Sequence, residues 1–105
     1  MYNKHILFEF DSHKESANRK RHAVGFDVAK EIFIDPEVMH FRDLSHSLTE
    51  ERWISVGKVR DGRIMTVWYT WRGPRLRIIG AAQIRKWRKV YEKRKIAGYQ
   101  EGKIG

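Results

Sequence analysis

The dipeptide Asp61-Gly62, set between Trp53 to Val59 and Ile64 to Trp71, constrains this chain most. Both flanking runs are rich in β-branched and aromatic residues. An Asp-Gly pair between such runs is the strongest short-range hairpin signal, because both central residues of a type I′ turn need positive φ. The centre of the chain is therefore an antiparallel pair of strands. From Ile64 to Trp71, apolar and aromatic side chains fall on both faces, which makes that strand central and covered by helices on one side. Gly73-Pro74 marks a second turn, and Leu76 to Ile79 reads as the next strand.

The flanks read as helix. His5 to Phe10 is a short first strand, and Ser12-His13-Lys14-Glu15 has the capping-box pattern that starts a helix running to about Arg21. Gly25 permits a turn. A second short helix follows, with Phe26, Ala29, Ile32 and Phe33 on one face, and Pro36 stops it. Val38 to Phe41 is a possible strand, and Asp43 to Thr49 a polar loop. The last helix runs from about Ala81 to Ala97, with Ile84, Trp87 and Tyr91 in one apolar stripe. The expected fold class is α+β: a small antiparallel sheet of about four to five strands, two N-terminal helices and a C-terminal basic helix, the helices on one face. At 105 residues the chain makes one domain, over 1–97, with a glycine-bearing tail at 98–105 expected to be flexible.

Charge says more than length about the partner. Residues 72–95 hold ten Arg or Lys and one acid, Glu92, while the remainder has twelve of each sign. The whole net charge of +9 therefore sits in one segment, which points to a polyanion. The absence of cysteine excludes disulfides, thiolate metal sites and a cysteine nucleophile, and fits a reducing cytoplasm. No run of 18 apolar residues exists to span a membrane, and Ile6-Leu7-Phe8 is too short for a signal peptide. His5, His13, His40 and His46 have no metal-ligand spacing, so neither a metal nor another cofactor is expected. Ser45, Ser47 and Ser55 show no nucleophile context.

Several short motifs, in this order, resemble the BrnT family of bacterial toxins. They are Phe8-Glu9-Phe10-Asp11, Lys14 and Asn18 on the following helix, Arg21-His22-Ala23-Val24-Gly25-Phe26, and Glu50-Glu51-Arg52 leading into Ile54-Ser55-Val56-Gly57. Gly62-Arg63, Tyr69-Thr70-Trp71-Arg72-Gly73, Arg75-Leu76-Arg77-Ile78-Ile79 and Tyr91-Glu92 complete the set. The resemblance implies a RelE-like fold, a ribonuclease toxin that cleaves RNA without metal, and a cognate antitoxin of the ribbon-helix-helix type. It also implies a toxin–antitoxin hetero-oligomer able to bind operator DNA through the antitoxin. Trp71, Gly80-Ala81-Ala82 and Trp87 stand where the family tends to carry Glu, Ser-Ala-Arg and Glu. Two alternatives stay open: an active endoribonuclease, or a protein that only binds RNA or its antitoxin.

Metal-free RNA cleavage needs a group to deprotonate a 2′-hydroxyl, positive charge for the developing phosphorane, and a proton for the leaving oxygen. The resemblance implies chemistry by Arg, Lys and Tyr, which makes Arg77 and Tyr91 candidate catalytic residues, and His22 joins them from its own sequence context. Arg77 lies mid-strand, where its planar fork suits phosphate oxygens. Tyr91 comes from the closing helix and is either a proton donor or part of the core. His22 follows Arg19-Lys20-Arg21 and is either a proton-transfer group or a helix-terminal cap. Arg63, Arg72, Arg75, Arg85, Arg88 and Lys89 are the candidate RNA-binding residues. Trp71, beside a turn, is expected to be exposed and to meet a base or the antitoxin.

Overall fold

The computed structural model describes residues 5–46 and 49–104, with side chains of the last helix described as far as residue 94. Strand β1 (Leu7–Glu9) leads into α1 (Ser12–His22) and the one-turn helix α2 (Phe26–Ala29), which tightens into a 3-10 turn at Lys30–Ile34. Strand β2 (Met39–Arg42), a 3-10 turn at Leu44–His46, and strands β3 (Trp53–Lys58), β4 (Ile64–Arg72) and β5 (Arg75–Ala82) follow. Helix α3 (Arg85–Ile104) closes the chain.

The five strands form one sheet in the order β1-β5-β4-β3-β2. Strands β2 to β5 are an antiparallel meander, in which tight turns join β4 to β3 and to β5. Strand β1 departs from the expected antiparallel arrangement. It pairs parallel to β5, Phe8 opposite Leu76, so the sheet is mixed. The intervening helices and three strands form the long crossover that a parallel pair requires.

The expectation of helices on one face is also corrected. Alternate residues of β4 enter two separate cores. Met65, Val67 and Tyr69 pack with Phe26, Ala29, Ile32 and Phe33 of the α2 segment. Ile64 and Trp68 pack on the other side with Trp87, Val90 and Tyr91 of α3, joined by Met39, Ile54 and Val56. The two-sided apolar character of β4 is thus matched by helices above and below.

Local details differ from the sequence reading for identifiable reasons. Asp11, not Ser12, caps α1, accepting the amides of His13 and Lys14 at 2.7 and 3.2 Å. Glu15 does not reach back to the cap. It takes the Arg19 guanidinium at 2.7 Å and the Phe26 amide at 3.1 Å, tying α1 to α2. The left-handed residue after α1 is Ala23 at φ 57°, rather than Gly25. The β3–β4 hairpin is not a two-residue I′ turn. The Val59 amide donates to Arg63 and the Gly62 amide to Val59, leaving a three-residue loop in which Gly62 alone has positive φ, 99°. At the next turn Arg72 pairs with Arg75, and Gly73 at φ 57° precedes Pro74, the glycine-first pattern of a II′ turn. Helix α3 runs through Gly98 and Gly102 to Ile104 instead of ending at Ala97. Glycine in a helix interior costs only about 1 kcal/mol.

Candidate active site

Helix α1 is fixed against the edge of β5 by one side chain. The Asn18 amide donates to the Ala81 carbonyl at 2.9 Å and to Val24 at 3.1 Å, and its oxygen accepts the Ala81 amide at 3.1 Å. A side-chain amide thereby does for Ala81 what a neighbouring strand would do. Strand β1 stops at Glu9, so without Asn18 this stretch of edge would have no strand partner.

That anchoring exposes one face of α1 to the sheet. Lys14, Ala17, Asn18, Arg21 and His22 recur at i, i+3, i+4, i+7 and i+8, and with Ile79 they line a cleft of about 160 Å³. Ile79 is the extra residue of a β-bulge, since Trp68 pairs with Gly80 while Tyr69 pairs with Ile78. Arg77 lies two residues back along β5, about 7 Å. It alternates with buried Leu76 and Ile78, so it leaves the α2-side core, and its Nη1 meets Glu9 Oε2 at 2.9 Å. The structure places His22 in this cleft and Arg77 beyond it along β5, beside Glu9 at the end of β1. Lys14 and Arg21 line the cleft with His22; the sequence offers Arg21, within Arg19-Lys20-Arg21, as a phosphate holder and gives Lys14 no chemical role. Their helical spacing was the available signal.

Tyr91 is not brought there. Its side chain is 3% exposed in the α3-side core, and its hydroxyl donates to Asp35 Oδ2 at 2.7 Å. Asp35 Oδ2 also accepts the Lys58 amide, and Lys58 pairs with Ile64, whereas Arg77 pairs with Thr70. Those β4 positions are six residues apart, about 20 Å. Burial, with the Asp35 carboxylate next, pushes the Tyr91 phenol far up, so its proton stays on. Tyr91 thus lies on the apolar stripe within the α3-side core, at the other end of β4 from Arg77.

The basic segment is also divided by the fold. Arg63, Arg85 and Arg88 gather around a cleft of about 450 Å³ where the β3–β4 loop meets the start of α3. Arg72 and Arg75 flank the turn at the far end of β4, roughly 25 Å away. Arg72 lies 3.8 Å from Glu50, and Arg63 is held by Asp61 at 2.8 Å. Lys89 lines a separate, open depression with Val90, Lys93 and Glu92. The cleft near Arg85 begins at Gln83, four residues beyond Ile79, about 13 Å. Arg77, the α1 cleft and the Arg85 cleft thus follow one another along β5. Arg72 and Arg75 stand at the opposite end of that path, and Trp71 there is 47% exposed, as expected.

His40 and Ser55, given no role from sequence, are linked. His40 Nδ1 lies 2.6 Å from Ser55 Oγ, which lies 2.7 Å from the Tyr69 hydroxyl. Ser55 is fully buried, so the chain satisfies Tyr69 and offers no nucleophile to a substrate. Among the described residues no cluster of three His, Asp or Glu could hold a metal, and no helix is long and apolar enough to cross a membrane.

A mixed five-stranded sheet with basic clefts strung along one strand defines a small α+β domain suited to a polyanionic substrate. The family model for the ribonuclease toxin BrnT of type II toxin–antitoxin systems matches residues 10–89. The chain belongs to this BrnT family, and so to the ribonuclease toxins that act with a cognate antitoxin. The crystal structure of the Brucella abortus ribonuclease toxin BrnT is similar in fold, with a TM-score of 0.59 and 16% identity over 75% of this chain and 96% of that one. No curated protein matches.

Proposed function

We propose that this chain is a metal-independent endoribonuclease whose centre is the α1–β5 cleft. The observation that carries this reading is that Lys14, Arg21 and His22 line one cleft beside Ile79, two residues along β5 from Arg77. His22 takes the proton of a 2′-hydroxyl, and the freed oxygen attacks the adjacent phosphorus. Arg77 and Arg21 stabilise the charge that builds on the phosphoryl oxygens. The bond from phosphorus to the 5′-oxygen breaks, Lys14 supplies its proton, and the products end in a 2′,3′-cyclic phosphate and a 5′-hydroxyl. Glu9 holds the Arg77 guanidinium in place before substrate arrives. Arg63, Arg85, Arg88 and Lys89 carry RNA away from the centre on one side, and Arg72 and Arg75 on the other.

In this reading the enzyme works in the cytoplasm, where RNA is available. A ribbon-helix-helix antitoxin neutralises it, and the hetero-oligomer binds operator DNA through that partner. The test is cleavage of mixed-sequence RNA by toxin freed of antitoxin, with excess chelator and with or without ribosomes. Cyclic-phosphate ends formed in chelator are the expected result. Replacing His22 by Gln should lower the rate about a hundredfold or more, the range of general acid–base catalysis. Absence of cleavage in every condition leaves the alternative, a protein that binds RNA or its antitoxin without cutting.

A further inference from the structure

The cleft between the β3–β4 loop and α3 has a composition that a phosphate track alone does not require. Ile64 and Ile84 give it apolar walls, while Arg63, Arg85, Arg88 and Glu92 surround them. A volume of about 450 Å³ lies in the range of small-molecule sites. Arg85 and Arg88 have no acidic partner among the described residues. The first bond of α3, from the Arg88 amide to the Ile84 carbonyl at 2.9 Å, sets the positive end of this long helix against the same space. The cleft therefore offers a place for one phosphate, with apolar contact for one base from Ile64 and Ile84.

Of the three remaining side chains, Arg63, Gln83 and Glu92, the two charged ones select the base. Arg63 gives its Nε–Nη2 edge to Asp61, with contacts of 2.9 and 2.8 Å to Oδ2. This fixes the guanidinium and leaves its Nη1–Nη2 edge for a ligand. That fork fits the adjacent O6 and N7 acceptors of guanine. Glu92 forms no ion pair with Arg88, although the two are four residues apart on the helix. A carboxylate only accepts hydrogen bonds, and guanine alone among the four RNA bases presents two neighbouring donors, N1–H and N2–H, to a two-oxygen acceptor.

We infer that this cleft is a guanine-nucleotide subsite, occupied by one nucleotide of the RNA substrate, with Glu92 and Arg63 reading the base and Arg85 and Arg88 holding its phosphate. The inference rests on the ribonuclease reading for its source of ligand, and its measurement does not depend on cleavage.

The experiment titrates the full-length toxin with each of the four nucleoside 5′-monophosphates and follows backbone amides by NMR. Guanosine monophosphate should bind about fivefold or more tighter than the other three, the low end of discrimination by a bidentate base contact. Its shifts should centre on Gly62, Arg63 and Arg85. Glu92→Gln should narrow the preference for guanosine monophosphate over the other three, and Glu92→Gln with Arg63→Ala should erase it. Arg85→Ala with Arg88→Ala should weaken all four. The helix substitutions fall at exposed positions, and matching unfolding midpoints confirm that the folds of all three variants are intact. Equal binding of all four nucleotides, or shifts centred elsewhere, overturns the proposal. A 2′-O-methyl trinucleotide with a central guanine should displace guanosine monophosphate, and its all-uracil counterpart should not. A trinucleotide that binds without displacement makes a free nucleotide the ligand and overturns the RNA assignment. Guanine preference without RNA cleavage keeps this pocket and removes the proposed function. Cleavage without guanine preference does the reverse.

Discussion

Asn18 grips Ala81 at both backbone groups, accepting its amide at 3.1 Å and donating to its carbonyl at 2.9 Å. Ala81 itself is fully buried. Asn18→Ala leaves these groups without that partner, and an unsatisfied buried backbone group costs about 1–3 kcal/mol. Because the same contact seats the face carrying Lys14, Arg21 and His22, RNA cleavage should fall by more than the lost stability explains. Denaturant unfolding and initial rates at matched folded fraction separate the two effects.

Arg77→Ala should lower the cleavage rate about a hundred- to a thousandfold, the usual loss on removing one charge-stabilising donor. Arg77→Lys should restore only part, because an ammonium cannot bridge two oxygens as the guanidinium fork does. Glu9 keeps a cationic partner in the lysine variant, so its folding provides the control. Equal rates for parent and alanine variant would place the centre elsewhere.

Tyr91→Phe should leave RNA cleavage intact and cost about 0.5–1.5 kcal/mol for the lost hydrogen bond. The pH dependence has a definite sign. The folded phenol is held above its ordinary value of 10.0 by burial and then by Asp35. The unfolded phenol therefore ionises first, and the stabilisation, complete below pH 10, is lost as pH rises. The phenylalanine variant should show a shallower alkaline decline than the parent in unfolding midpoints.

At the other end of the scale stands Asp11. Its carboxylate is lowered from 3.8 by the amides of Lys14 and then His13. The stabilisation is present above pH 3.8 and disappears as pH falls through the lower folded value. Asp11→Asn retains a cap oxygen without the titration. Its acid-unfolding curve should be flatter than the parent's over that interval.

Two backbone positions give opposite outcomes. Ala23 sits at φ 57° and is exposed, so Ala23→Gly relieves left-handed strain and should stabilise the fold by roughly 1 kcal/mol or less. Gly57 has no such freedom to change. A Cβ there would come within 2.8 Å of Ile32 Cβ and 3.1 Å of the Ile32 carbonyl oxygen. Gly57→Ala should cost about 1–3 kcal/mol through overpacking. Thermal midpoints of the two variants should move in opposite directions.

Local pattern alone was enough for the elements whose cause is local. The runs around Asp61-Gly62 form β3 and β4, and the stripe of Ile84, Trp87 and Tyr91 lies on α3, because strand alternation and helical spacing are properties of consecutive residues. The motif resemblance likewise led to the family. The tertiary structure decided what depends on distant residues. Strand β1 joins β5 in parallel, with Glu9 meeting Arg77 across 68 positions. Nothing in Leu7–Glu9 encodes which strand edge will be free to receive it. Tyr91 shares the stripe of any core tyrosine, and only Asp35, 56 positions away, holds its hydroxyl from the site. The basic segment reads as one block along the chain, yet the length of β4 separates Arg72 and Arg75 from Arg85 and Arg88. Charge along a sequence fixes how many cations there are, whereas the path of the backbone through the sheet fixes which of them can face one substrate.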